Sequence, residues 1–225
     1  MVRIHARPPI MKKSLEKKLI KIAKEKQTKK DPSHDFQHVL RVLNMATKIG
    51  DAVKADLDVV IPAALFHDIV VYRKDHPNSK KAADESAEIA GRILSRMDGY
   101  PKEKIERVKI CVKQCSFTKG IIPDLLEAKI LQDADLLDST GAISIMRTFS
   151  SGGQMNRPFY NSISPFFEKN EMDHLSGVSI FYQRLLIAGK RMHTKFAKQI
   201  AKRRTEFLKK FLNELKLELK ESEII

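Results

Sequence analysis

The sequence predicts an all-α protein, a single-domain helical bundle. Three observations carry this expectation. Lys, Glu, Leu, Ile and Ala dominate the stretches between chain breakers, and these residues favour helix. Only 9 Gly and 9 Pro punctuate the 225 residues. No segment sustains the period-two alternation of a half-buried strand, whereas apolar residues recur at helical spacing. Apolar residues make up 42% of the chain, enough for a folded core rather than a disordered chain, and the length suits one sizeable core.

Residues 1–10 hold two Arg and two Pro without periodicity and are expected to form a flexible extension. The domain is expected over 11–220. A first helix is predicted over Met11–Gln27, where lysines alternate with Leu15, Leu19, Ile20 and Ile22 as on the solvated face of an amphipathic helix. Asp31-Pro32-Ser33 breaks it, and Ser33 is a good cap for a second helix over His34–Ala52. A third helix, Leu57–Val71, is apolar on all sides and should be buried. Arg73–Asn78 reads as a loop. Helices follow over Ser79–Met97, Lys102–Cys115 and Asp124–Asp138, the last with Pro123 just before its start. Gly141–Phe149 predicts a short helix. Ser151–Phe167, rich in Gly, Pro, Asn and Ser, is the one long irregular segment, and such segments are often functional. Helices over Asp173–Ile187 and Thr194–Leu217 complete the chain.

The formal net charge is +14, with basic residues crowding Lys12–Lys30 and Arg191–Lys210. A polyanionic partner such as nucleic acid is conceivable, since Lys and Arg that neutralise phosphates release counterions. The helical spacing favours a solvated helix face instead, and no interleaved aromatics offer stacking for bases. No apolar run approaches the roughly 18–20 residues of a membrane span. The basic start is not followed by an apolar signal core. A soluble cytoplasmic protein without a membrane partner is therefore expected. Cys111 and Cys115 lie at i and i+4, on one helix face, with no second pair to complete a zinc cage. They read as small apolar residues near the core of a protein from a reducing compartment.

Three places on three predicted helices hold residues that do not suit their surroundings. They are Ser33-His34-Asp35-Phe36-Gln37-His38 followed by Arg41, then Ala64-Leu65-Phe66-His67-Asp68-Ile69, and then Leu131-Gln132-Asp133-Ala134-Asp135-Leu136-Leu137-Asp138. A His-Asp pair in a run as apolar as Ala63–Val71 is costly to bury unless a proton or a cation compensates the carboxylate. Three carboxylates between Ile130 and Asp138 raise the same problem. Imidazole nitrogen combined with carboxylate oxygen suits first-row divalent metals. Taken singly, each place has an ordinary structural explanation: a hydrogen-bonded core histidine, a chance dipeptide, a solvated turn. The order His, His-Asp, Asp across three helices is far more specific.

In these residues the chain resembles the HD superfamily of metal-dependent phosphohydrolases, named for its central His-Asp pair, and within it a branch of short stand-alone hydrolases. The matching text is DPSHDFQHVLRV, AALFHDIV, ESAEIAGRIL and AKILQDADLLDSTGAISIMRTF, with core motifs over 31–150 and the resemblance extending to about residue 215. The resemblance implies one divalent ion (Mn, Fe, Co, Ni, Zn or Mg) held by His38, His67, Asp68 and Asp135. It also implies a second role for Asp68 on the attacking water. Asp133 and Asp138 become neighbours that orient ligands or backbone. His34, one turn before His38, is expected either to contact phosphate or to cap the helix. Relatives often carry His where Cys115 stands here, and His193 stands where Asn is expected.

The chemistry implied is hydrolysis of a phosphate ester, in a nucleotide or small phosphorylated metabolite. Phosphate charge calls for a cation, and Arg41, Lys74 and Arg147 are the candidates, with Lys80 and Lys81 near the expected mouth. Three alternatives stay open: an HD enzyme of a different reaction type such as a mixed-valence two-iron oxygenase, a metal-retaining nucleotide-binding module, and a basic nucleic-acid-binding protein without catalysis.

Overall fold

The structure, a computed structural model, describes residues 11–27, 35–72, 76–115, 120–161, 163–166 and 176–224. Among the described residues there are nine α-helices and no strand, as the all-α expectation requires. The chain divides into two compact units, the first ending at Asp135 and the second beginning at Leu136. No described helix is long and apolar enough to cross a membrane.

The first unit contains α1 (Lys13–Lys26), α2 (Phe36–Val53), α3 (Leu57–Phe66), α4 (Ala82–Ser95), α5 (Ile105–Cys115) and α6 (Leu126–Leu137) up to Asp135. Its centre is α3. Every residue from Leu57 to Phe66 is buried, and the helix packs against α1, α2, α4 and α5. A helix apolar all round has no face to give to water, so its neighbours must enclose it. Inside it stands Pro62, which has no N–H to offer the carbonyl of Asp58 one turn earlier. The hydroxyl of Tyr100, itself buried, donates to that carbonyl at 2.8 Å and replaces the missing main-chain donor.

The start of α3 is fixed by charge. The Asp56 carboxylate caps the helix by accepting from the Asp58 N–H at 3.1 Å, and it also pairs with Lys104 at 2.9 Å and Arg107 at 3.3 Å. Lys104 reaches Asp58 at 2.7 Å, and Arg107 reaches Glu127 at 2.9 Å. Burial opposes the charge on Lys104, but the hydrogen bonds to Asp58 and Asp56 outweigh it and hold its pKa above the ordinary lysine value. This network ties the first turn of α3 to α5 and α6.

Helix ends depart from the sequence reading in four places. The cap of α2 is Asp35, whose side chain accepts from the His38 N–H at 2.9 Å; Ser33, expected there, lies outside the described residues, as does the 1–10 extension. The helix expected to reach Val71 ends at Phe66, with His67 still helical in its backbone and its ring bonded to the Ala64 carbonyl. Ser151–Gln154, expected to be irregular, continues α7 (Gly141–Gln154). That helix stops in a Schellman motif. Asn156 is left-handed at φ 52°, the Arg157 N–H donates to Gly152 at 2.8 Å, and the Asn156 N–H donates to Gly153 at 3.1 Å. The helix expected over Asp173–Ile187 is composite: α8 (Gly177–Ile180), started by a Ser176–Ser179 capping box, runs into a π-helical turn over Phe181–Leu185.

The second unit also holds α9 (Lys195–Glu221), capped by Thr194, whose side chain accepts from the Ala197 N–H. Its core gathers Val178, Phe181, Leu185, Leu208 and Leu212, with Phe181 and Phe211 stacked at 5.5 Å. Gly177 faces Phe149 so closely that a Cβ there would lie 2.6 Å from the ring. Arg204 donates to the Leu137 carbonyl at 2.7 Å and thereby caps the end of α6.

Tyr100→Phe removes the substitute donor while keeping the ring. The variant is expected to unfold in urea with about 1–3 kcal/mol less stability, the usual cost of a buried acceptor left without a partner. A variant as stable as the parent would show that the Asp58 carbonyl does not depend on the hydroxyl.

Candidate metal centre

Four side chains from three elements of the first unit converge. His38 is the third residue of α2 and is fully buried. His67 follows the last residue of α3, and Asp68 follows it. Asp135 comes from α6. His38 Nε2 lies 3.3 Å from His67 Nε2, and both nitrogens face Asp68 Oδ2, at 3.5 and 3.6 Å. Asp135 Oδ1 lies 3.5 Å from His38 Nε2 and 4.0 Å from His67 Nε2. The two rings meet edge-on, their centroids 5.3 Å apart.

The arrangement suits a cation. His67 Nδ1 sits 2.8 Å from the Ala64 carbonyl. A carbonyl only accepts, so Nδ1 carries the proton and Nε2 turns its lone pair into the cluster. Two imidazole nitrogens and two carboxylates that crowd together need a proton or a positive ion between them. Bonds of about 2.0–2.2 Å to one ion hold neighbouring donors roughly 3–4 Å apart, which is the spacing found here. His38, His67 and Asp135 each offer a ligand atom within 4.8 Å of the others. The histidine side chains are 0% and 1% exposed, whereas Asp68 and Asp135 are 26% and 29% exposed. The nitrogen side of the cluster is therefore dry, and the carboxylate side is open to water and to a ligand.

The remaining sequence candidates fall differently. Arg41 is half-buried on α2, three residues after His38. Arg147, on α7 in the second unit, is bound to the buried Asp138 at 3.0 Å, so both residues of that pair have a structural role. Lys80 and Lys81 are exposed on a 3-10 turn. His34 and Lys74 lie outside the described residues. Two further groups border the centre, of which the sequence reading singled out Cys115, as a place where relatives carry His, but not the Ala64 carbonyl. The Ala64 carbonyl orients His67, and the Cys115 sulfur lies 4.0 Å from Asp135 Oδ2. Burial pushes the Cys115 thiol well above its ordinary pKa, and the charges of Asp135 and Asp68 add to the effect.

The sequence profile described as HD domain matches residues 35–140. The uncharacterized protein YpgQ of Bacillus subtilis is 30% identical over 196 residues, which is 85% of this chain and 87% of that protein. A crystal structure of Bacillus subtilis YpgQ in complex with ADP superposes with a TM-score of 0.70 at 26% identity, covering 91% of this chain and 95% of that one. An HD-superfamily hydrolase from Bacillus thuringiensis gives a TM-score of 0.68 at 26% identity, covering 92% and 98%.

Metal binding to the folded state alone stabilises it by mass action. Mn²⁺ or Zn²⁺ at a hundred times its Kd is expected to add about 2.7 kcal/mol to the stability of metal-free protein in urea. His38→Ala is expected to abolish that increment. An increment that persists in the variant would place the ion elsewhere.

Proposed function

The chain belongs to the HD domain family, and from that premise we propose that it is a metal-dependent phosphohydrolase acting on a nucleotide. The observation that carries the reading is the convergence of two dry imidazole nitrogens with two half-open carboxylates at 3.3–4.0 Å. His38, His67, Asp68 and Asp135 hold one divalent ion in this reading. A bound divalent ion supplies Lewis acidity, polarising a phosphoryl oxygen and lowering the pKa of water from about 15.7 towards about 7.

The residues of the chain do the rest. His38 and His67 exclude water from one side of the centre, so the ester enters from the carboxylate side. Asp68 faces both imidazoles yet is a quarter exposed, so it both neutralises the ion and accepts the proton of an attacking water. The water oxygen bonds to phosphorus, the phosphorus–oxygen ester bond breaks, and the departing oxygen takes a proton from solvent. Arg41, one turn along α2 from His38, is the first candidate to neutralise the phosphate, with His34 and Lys74 behind it. The guanidinium of Arg147 is already engaged by Asp138.

The complex of Bacillus subtilis YpgQ with ADP supports a nucleotide as the substrate class. It equally favours a second reading, in which the chain holds metal and nucleotide without turning the nucleotide over.

Asp68→Asn keeps the shape of the side chain but removes the charge and the proton acceptor. Phosphate release from nucleotides by the metal-loaded variant is expected to fall at least about 100-fold. Asp138→Asn, assayed beside it at a temperature where it stays folded, is expected to lose clearly less. Wild-type rates from both variants with metal still bound would make the centre structural and move the binding-module reading to first place.

A further inference from the structure

We propose that Cys115 is a positioning residue that holds the carboxylate of Asp135 with one oxygen turned towards the two imidazoles. The purpose of this contact rests on the metal centre proposed above, while its geometry stands alone. The two oxygens of Asp135 face different partners. Oδ1 looks at His38 Nε2 and His67 Nε2, at 3.5 and 4.0 Å, and Oδ2 looks at the Cys115 sulfur at 4.0 Å. Cys115 ends α5 and is 4% exposed, so water does not compete for its thiol.

The main chain holds this contact in place. The Gln132 side chain donates to the carbonyl of Gln114 at 2.6 Å and to that of Ile121 at 3.0 Å. Gln132 and Asp135 share a face of α6 at i, i+3, and Gln114 and Cys115 are neighbours at the end of α5. One residue of α6 therefore fixes the end of α5, and the next residue on that face receives the thiol. A half-open carboxylate left to itself turns broadly about its terminal torsion. A thiol is a weak donor, but it suffices to favour one orientation, and outer partners of this kind set how well a ligand holds its ion.

The alternative role, simple space filling, makes the opposite forecast. A buried cysteine that only packs is replaced best by Val or Ala and worst by Ser, whose hydroxyl would be buried among apolar groups. A cysteine that donates to Asp135 is replaced best by Ser. Metal-free wild type, C115A, C115V and C115S would be titrated with Mn²⁺ and followed by electron paramagnetic resonance. C115A and C115V are expected to bind at least about tenfold more weakly, and C115S to stay within about threefold of wild type. C115V binding as tightly as wild type overturns the proposal, as does C115S binding as weakly as C115V. The infrared S–H stretch gives a second readout that needs no metal. The Cys115 band, assigned by its loss in C115A, is expected below the frequency of a free thiol and to rise in D135A. A band at the free-thiol frequency in wild type overturns the contact. Wild type that takes up no Mn²⁺ overturns the metal centre instead, and the band then decides the role of the thiol alone.

Discussion

The hydrogen bond between the His67 ring and the Ala64 carbonyl is the contact on which the first unit turns. It is made while the His67 backbone keeps helical angles, φ −59° and ψ −37°, at the end of α3. By fixing the proton on Nδ1, it leaves Nε2 as a lone-pair donor 3.3 Å from its counterpart on His38.

The opposite end of α3 is governed by charge. Asp56 and Asp58 open the helix, Lys104 from the 3-10 turn before α5 and Arg107 from α5 answer them, and Glu127 of α6 holds Arg107. Little of this network faces solvent, apart from Arg107, whose side chain is 41% exposed. Such pairs fix register more than they add stability, because desolvation offsets much of the attraction. A helix that is apolar on every face can slide or rotate with little penalty. An anchored first turn sets where its last turn delivers His67.

The sequence made the centre legible because each of its residues is an anomaly. His67 and Asp68 close a run of apolar residues, and Asp135 is flanked by Ala134 and Leu136. Ionisable groups in such places demand an explanation that helical periodicity cannot supply. Helix ends were less legible, because local contacts outside the repeating pattern mark them: the Asp35 side chain accepts from the His38 N–H at the start of α2, and left-handed Asn156 closes α7 only after Gly152 and Gly153. Partners far apart in the chain were not legible at all. The resemblance marks Cys115 as a place where relatives carry His, but nothing local reveals that its sulfur lies against Asp135. Nor does anything local reveal that Arg147, attractive as a phosphate ligand, is engaged by Asp138.

Pro62 and Tyr100 carry a consequence for how substitutions combine. The tyrosine hydroxyl does for the Asp58 carbonyl what a peptide N–H does in an ordinary helix. The two residues are thus alternatives as well as partners. A residue at 62 with its own N–H would make the hydroxyl dispensable, whereas with proline there the loss of the hydroxyl leaves the carbonyl without a donor. Substitutions at 62 and 100 are consequently non-additive, each setting what the other costs.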